Sequence, residues 1–189
     1  EDLQEVYDKL FADPMFHGVL DMLYPGVSHD ELEKELRKCK SGYEYEVKFV
    51  YPFIQRILAK CGKGFDMDSE VDFKKRYTFI SNHRDIILDS ALLAVLLVDA
   101  KCGTTVEIAI GDNLLVHPWV ENIVRLSKAF IVKRSLTPRD FIISSKLLSD
   151  YMHFSINQKH ENIWIAQREG RAKDSNDLTQ PSILKMMLA

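Results

Sequence analysis

From about residue 73 onward, short runs rich in β-branched and aromatic residues alternate with longer segments of helical periodicity. The predicted strands are Tyr77–Ser81, Val106–Ile110, Ala129–Val132 and Ile163–Ala166. The predicted helices are Ile86–Val98, Pro118–Ser127, Pro138–Ile156 and Thr179–Leu188. Each helical connection between two predicted strands is long enough for the second strand to run parallel to the first. This order predicts an α/β fold over residues 73–189, an αβα sandwich with a largely parallel sheet.

Residues 1–63 differ, because their apolar positions follow helical spacing only. Ser28 and Glu31 form a capping box, which predicts the start of one helix there. A further helix is predicted over Tyr43–Ala59, and Pro52 is expected to kink it. We therefore expect a helical N-terminal part that packs on the α/β core.

Composition sets the class of protein: 46% hydrophobic and 28% charged residues are typical of a globular domain. The formal net charge of -3 gives no indication of a nucleic-acid partner. Cys39, Cys61 and Cys102 are an odd number without CxxC spacing, which argues against a disulfide framework or a zinc cluster and favours a reducing, intracellular setting. The histidines show no metal-ligand spacing, so we expect no metal site.

The longest apolar run, Ile86–Val98, is interrupted by Asp89 and is too short to cross a bilayer. The sequence begins at Glu1 and stops at Ala189 within an apolar helical pattern. We expect a piece of a longer protein, with the α/β domain truncated at its C-terminus.

A histidine follows the first predicted strand, at the edge of the sheet where open α/β folds bind ligands. His83 lies where the strand gives way to a helix, Asp85 is placed to cap that helix, and Asp89 lies about one turn into it. Imidazole can take a proton from an alcohol, and a neighbouring carboxylate fixes its tautomer. Either carboxylate could serve, and the alternative is a histidine that merely caps a turn.

Cations follow the third and fourth predicted strands: Lys133, Arg134, Arg171 and Lys173. Arginine forks match the oxygens of a phosphate monoester. Gly170 predicts a tight turn that lets Arg171 reach back to the sheet. A phosphate site and an ordinary solvated rim both fit these residues.

Three ordered blocks resemble the glycerol-3-phosphate and lysophosphatidate acyltransferase superfamily. The first is Phe79–Arg84 followed by Asp89, the second is Gly111-x-Asn113-Leu114 followed by Ala129–Arg134, and the third is Glu169-Gly170-Arg171. The resemblance covers about Tyr77 to Lys173. Two spacings depart from the family pattern: five residues rather than four separate His83 from Asp89, and one residue is missing between Gly170 and Arg171.

The resemblance implies that His83 is a general base oriented by Asp89, with Asp85 as the alternative. It also implies an acceptor-phosphate site, and either Asn113 or backbone N–H groups near the helix start are expected to stabilise the oxyanion. The implied substrate-binding residues are Asn113, Lys133, Arg134, Glu169, Gly170 and Arg171.

The expected reaction, a step of phospholipid synthesis, moves a fatty acyl group from acyl-CoA or acyl-carrier protein to a hydroxyl of glycerol 3-phosphate or lysophosphatidate. No metal or organic cofactor is expected, and the protein would lie peripherally on the cytoplasmic face of a membrane. The altered spacings leave open a catalytically inactive relative that binds lipid or an acyl carrier as an adaptor, and an acyltransferase for an aminoacyl or hydroxylated lipid.

Overall fold

The computed structural model describes residues 3–174 and 178–188. In chain order the helices are α1 (Leu3–Phe11), α2 (Pro14–Leu23), α3 (His29–Leu36), α4 (Gly42–Tyr45), α5 (Tyr51–Cys61), α6 (Leu88–Asp99), α7 (Pro118–Leu126), α8 (Pro138–Phe154) and α9 (Pro181–Leu188). The strands are β1 (Thr78–Ser81), β2 (Val106–Gly111), β3 (Ala129–Val132) and β4 (Asn162–Ala166). These elements form two compact units, one of residues up to Gly64 with Asn113–Ala129, the other of Phe65–Asp112 with residues from Phe130 onward.

The first unit is a helical cluster around a core that includes the fully buried side chains of Tyr7, Leu10 and Leu126. Helix α7 belongs to this unit because it packs against α1. The sequence predicts a helical part at residues 1–63 and an α/β domain at residues 73–189. In the structure the first unit also includes Asn113–Ala129, which lies within the second of these ranges. A β-carbon at Gly42 would lie 2.8 Å from the carbonyl oxygen of Leu126, so α4 can approach α7 this closely only with glycine there.

The helix starts of this unit follow from local side-chain chemistry. Ser28 Oγ accepts the backbone N–H of Glu31 at 3.2 Å, which caps α3 as the capping-box pattern predicts. The irregularity expected at Pro52 takes the form of a π-helical turn, Glu46–Val50, directly before α5. A proline cannot donate to the carbonyl one turn earlier, and a widened turn accommodates this loss.

The second unit contains a four-stranded parallel sheet in the order β1-β4-β2-β3. Phe79 of β1 is in register with Trp164 of β4, and Trp164 is in register with Ile108 of β2. These three side chains pack with Leu93 and Leu97 of α6 on one face of the sheet. On the other face, Tyr151 of α8 donates a hydrogen bond to Glu107 of β2, and α9 packs against α8.

The predicted fold class, α/β with a parallel sheet and a helical N-terminal part, is confirmed. Predicted and observed strand bounds differ by at most one residue at each end. Helix α6 begins at Leu88 rather than Ile86, and α8 ends at Phe154 in a π-helical turn, Ser155–Lys159. None of the helices in the described part of the chain is long and apolar enough to cross a membrane.

Candidate active site

The predicted base lies in the loop between β1 and α6. His83 Nδ1 is 2.8 Å from Asp89 Oδ2, and the two side chains are 18% and 20% exposed. When Nδ1 carries the proton it donates to the carboxylate, and Nε2 is left as the proton acceptor. The geometry therefore gives an imidazole whose tautomer is fixed by a carboxylate and whose other nitrogen is available for general-base chemistry.

The two candidate carboxylates have different partners. Asp89 Oδ2 also accepts the backbone N–H groups of Arg84 at 2.7 Å and Asp85 at 3.1 Å, so the carboxylate is held rigidly beside His83. Asp85 Oδ1 instead accepts the N–H groups of Leu88 at 2.8 Å and Ile87 at 2.9 Å. Asp89 is thus the carboxylate at His83, while Asp85 organises the start of α6.

These bonds also affect the titration of Asp85. The hydrogen bonds from the backbone of Leu88 and Ile87 stabilise the carboxylate and hold its pKa below the ordinary value of 3.8, and the nearby positive charge of Arg171 acts in the same direction. Because α6 begins only at Leu88, the helix start is shifted relative to the sequence pattern. That shift accommodates the extra residue between His83 and Asp89.

Trp164 supports the imidazole from the sheet. Its ring meets the His83 ring edge to face, with 5.7 Å between centroids, and its Nε1–H donates to Ser81 Oγ at 3.0 Å. Trp164 is 5% exposed. Sequence reasoning missed this residue, because its contact with His83 depends on β4 pairing with β1, and strand order is not visible in the chain.

Arg134 follows β3 and makes an ion pair with Glu169, which follows β4. Its backbone N–H donates to Asp112 Oδ1 at 3.2 Å, which ties the end of β3 to the end of β2. Its buried Nε has no hydrogen-bond partner among the described residues. Arg134 of the second sequence block and Glu169 of the third therefore lie together. The Arg134 guanidinium keeps hydrogen-bond donor capacity for an anion.

The third sequence block forms a turn that returns to the His83 loop. Gly170 has φ of +74°, a conformation that favours glycine. Two residues later the N–H of Ala172 donates to the His83 carbonyl oxygen at 2.6 Å, and before the turn the N–H of Glu169 donates to Gln180 Oε1 at 2.9 Å. Arg171, on this turn, is exposed.

A cavity of about 300 Å³ opens on the α8 and α9 side of the sheet. Lys133, Arg134, Arg168 and Glu169 contribute its charged groups, and apolar side chains from β4, α8 and α9 form a wall that also includes serines of α8 and α9. His83 and Asp89 are not among the lining residues. Trp164, which contacts His83, and Ile165, which lines the cavity, are consecutive in β4 and so point to opposite faces of the sheet.

The structure therefore brings the predicted residues together in two groups: His83 with Asp89, and Lys133 and Arg134 with Glu169. Asn113, the predicted oxyanion donor, belongs to the first unit, where it is exposed. The cavity residues Ser145 and Gln180 are further omissions of the sequence analysis. No motif marks them, since Ser145 lies on α8 and Gln180 directly precedes α9, and the docking of these helices is a tertiary property.

A family model described as Acyltransferase matches residues 64–181, more than half of the chain. The chain belongs to this acyltransferase family. A comparison with curated proteins and a comparison with solved structures each found no match.

Proposed function

We propose that this protein transfers a fatty acyl group from acyl-CoA or acyl-carrier protein to a hydroxyl of glycerol 3-phosphate or lysophosphatidate, a step of phospholipid synthesis. Membership of the acyltransferase family supports the transfer of an acyl group. The observation that carries the proposal is the contact between His83 Nδ1 and Asp89 Oδ2, because it leaves Nε2 ready to take a proton.

In the proposed reaction His83 Nε2 removes the proton of the acceptor hydroxyl as the oxygen attacks the thioester carbonyl. Asp89 stabilises the imidazolium that forms and keeps the ring oriented. The tetrahedral intermediate then collapses, the carbon–sulfur bond breaks, and the imidazolium proton goes to the departing thiolate. The acyl group passes directly to the acceptor without an acyl-enzyme intermediate, and the chemistry uses no metal or organic cofactor.

The oxyanion of the intermediate needs hydrogen-bond donors. Near the start of α6, the N–H groups of Arg84, Asp85, Ile87 and Leu88 already donate to Asp89 or Asp85. Those four backbone groups are therefore occupied, and Asn113 is proposed as the oxyanion donor on its place in the second sequence block alone. Asn113→Ala is accordingly expected to lower kcat more than it changes the KM of either substrate.

For the acceptor phosphate we propose a site formed by Lys133, Arg134, Glu169, Gly170 and Arg171. The supporting observations are that Lys133 and Arg134 line one cavity, that the turn at Gly170 returns to the His83 loop, and that Arg171 is exposed on that turn. Glu169 pairs with Arg134, so an incoming phosphate would share or replace that carboxylate.

A peripheral location on the cytoplasmic face of a membrane is part of the proposal. Its support is a group of exposed apolar side chains on α8, since Phe141, Ile143 and Leu147 are each more than half exposed. Flotation of the full-length protein with liposomes tests this. Migration with the vesicles is expected, and protein that stays wholly at the bottom of the gradient would rule it out.

The test of the reaction is the release of free thiol from a long-chain acyl-thioester by the full-length protein, with and without glycerol 3-phosphate or lysophosphatidate. We expect acceptor-dependent release that His83→Ala abolishes and that His153→Ala leaves unchanged, because His153 is exposed on α8. Absence of release from the folded native protein with both acceptors and both carriers would contradict the proposal and would favour the adaptor hypothesis.

A further inference from the structure

The cavity beside Arg134 combines a cationic part with an apolar wall. Lys133, Arg134 and Arg168 contribute the cations, while Leu148 of α8 and Ile183 and Met186 of α9 belong to the apolar wall. Phosphate recognition accounts for the cations but leaves the apolar wall without a role. A ligand that uses the whole cavity must carry an anionic group and a hydrocarbon portion close together.

The cavity has a volume of about 300 Å³, and its apolar wall is formed by residues other than its cations. Glycerol 3-phosphate carries no hydrocarbon portion to place against that wall. Burial of methylene groups against such a wall contributes about 0.8 kcal/mol each. A hydrocarbon chain would therefore gain affinity from this wall that glycerol 3-phosphate cannot.

The short distance between charge and apolar wall distinguishes the two acyl chains of the reaction. In lysophosphatidate only the glycerol carbons separate the phosphate from the ester of the chain. In acyl-CoA the long pantetheine arm lies between the thioester and the nearest phosphate. Arg134 lines the cavity together with Ile183, so the geometry matches the acceptor's chain better than the donor's.

The acceptor can reach the proposed base from this position. Glu169 lines the cavity, and Ala172, three residues later, donates its N–H to the carbonyl oxygen of His83. Three residues span at most roughly 10 Å, which bounds the separation between Glu169 of the cavity and the residue that contacts the His83 loop. A glycerol unit with its phosphate at Arg134 can thus extend over the carboxyl edge of the sheet towards the imidazole.

We infer that the cavity binds the acyl chain of a monoacylated acceptor, with the acceptor phosphate at Lys133 and Arg134. The preferred acceptor is then lysophosphatidate rather than glycerol 3-phosphate. This inference rests on the proposed transfer to a phosphate-bearing acceptor, and it adds the site and the chain that the acceptor must carry.

Binding of dodecanoyl lysophosphatidate, measured by calorimetry on the full-length protein, tests the inference without any turnover. Ser145→Trp narrows the cavity from the α8 side and Met186→Trp narrows it from the α9 side. Asp150→Trp is the matched control, because Asp150 is exposed on α8 and does not line the cavity. We expect each narrowing variant to weaken binding at least tenfold, and the control to bind as the native protein does.

Glycerol 3-phosphate binding should be unchanged in all three variants, since its phosphate needs only the cationic part. Equal lysophosphatidate binding by the native protein and by every narrowing variant that melts like the native protein would overturn the inference. A narrowing variant that changes the chain-length preference for the acyl donor but leaves lysophosphatidate binding unchanged would also overturn the inference. A protein that binds lysophosphatidate in this way but releases no thiol would contradict the proposed reaction and leave the site standing.

Discussion

Charged side chains cluster at both ends of the sheet in the second unit, but the two clusters differ in how their hydrogen-bonding groups are satisfied. At the amino end Glu107 of β2, 3% exposed, accepts hydrogen bonds from Tyr151 at 2.9 Å and Ser155 at 2.5 Å and pairs with Lys159. Asn162, at the start of β4, accepts the N–H of Tyr77 and donates to the carbonyl oxygen of Thr105. The polar groups at this end are satisfied inside the fold.

At the carboxyl end the charges are held in position but remain accessible. Lys133 and Arg171 are exposed, Glu169 is 68% exposed in its side chain, and the His83 ring has one nitrogen bonded to Asp89. Charged clusters alone therefore do not separate a structural from a functional role. What separates them is whether their hydrogen-bonding capacity is used up within the protein. Variants of the accessible groups at the carboxyl end should change rate or substrate binding. Variants of groups whose bonds are satisfied within the fold, at the amino end or at the start of α6, should change stability.

The largest effect is expected at the carboxyl end, from Asp89→Asn. The amide can still accept the N–H groups of Arg84 and Asp85, but it no longer stabilises a His83 imidazolium. We expect kcat to fall by about 10²- to 10⁴-fold, the range for general-base catalysis, with an unchanged melting temperature. Asp150→Asn, an exposed position on α8, is the control. A native rate in Asp89→Asn would contradict the contrast between the carboxyl and amino ends of the sheet.

The next effect is expected at the amino end, from Lys159→Ala. The variant leaves the Glu107 carboxylate buried without its cation, although Tyr151 and Ser155 still donate to it. We expect a loss of about 2–3 kcal/mol in the free energy of unfolding by urea, less than for a fully buried pair because Lys159 is 37% exposed. Lys146→Ala, exposed on α8, should unfold like the native protein. Acyl transfer per folded molecule should not change, and a slower rate at native stability would contradict the assignment.

Arg134→Ala should act on acceptor binding. Loss of charge-assisted hydrogen bonds worth about 1.5–3 kcal/mol predicts a rise of about 10- to 150-fold in the KM for the acceptor. The KM for the thioester should stay constant. Arg139→Ala provides the matched loss of an exposed arginine. An unchanged acceptor KM in Arg134→Ala would show that the phosphate lies elsewhere.

The smallest effect is expected from Asp85→Ala, which removes the acceptor of two N–H groups at the start of α6. By analogy with helix caps we expect a loss of about 1 kcal/mol in stability at pH 7. Because the folded-state pKa of Asp85 lies below 3.8, its contribution is present above that pH and is lost as pH falls through the lower folded value. Urea unfolding at pH 7 and near pH 3 should therefore show a difference between variant and native protein that shrinks in acid. A constant difference would contradict this role.

The sequence predicted the strands and helices of the second unit because their signals are local: period-two apolar runs, helical periodicity and N-terminal prolines. It did not predict that α7 packs with α1, because a short amphipathic helix such as Pro118–Leu126 carries no indication of which element it will contact. Glu107 was missed for a similar reason. A charged residue in a strand reads as solvent-facing until its partners, 44 to 52 residues away, are known.

The choice between Asp85 and Asp89 was also beyond the sequence. It depends on where α6 begins, and the two backbone N–H groups that Asp85 accepts help to set that point. A shift of one residue changes the direction of a helical side chain by about 100°. Helix boundaries are the least predictable feature of a pattern, so spacing alone could not decide which carboxylate meets the imidazole.

We propose that His83 and Asp89 act as one unit in removing the acceptor proton. A double-mutant cycle on kcat/KM with His83→Ala, Asp89→Asn and the double variant measures this directly, using acceptor-dependent thiol release. If the two residues act together, the double variant will be about as slow as His83→Ala alone. If the two losses multiply, each residue acts independently and the pair is not the catalytic unit.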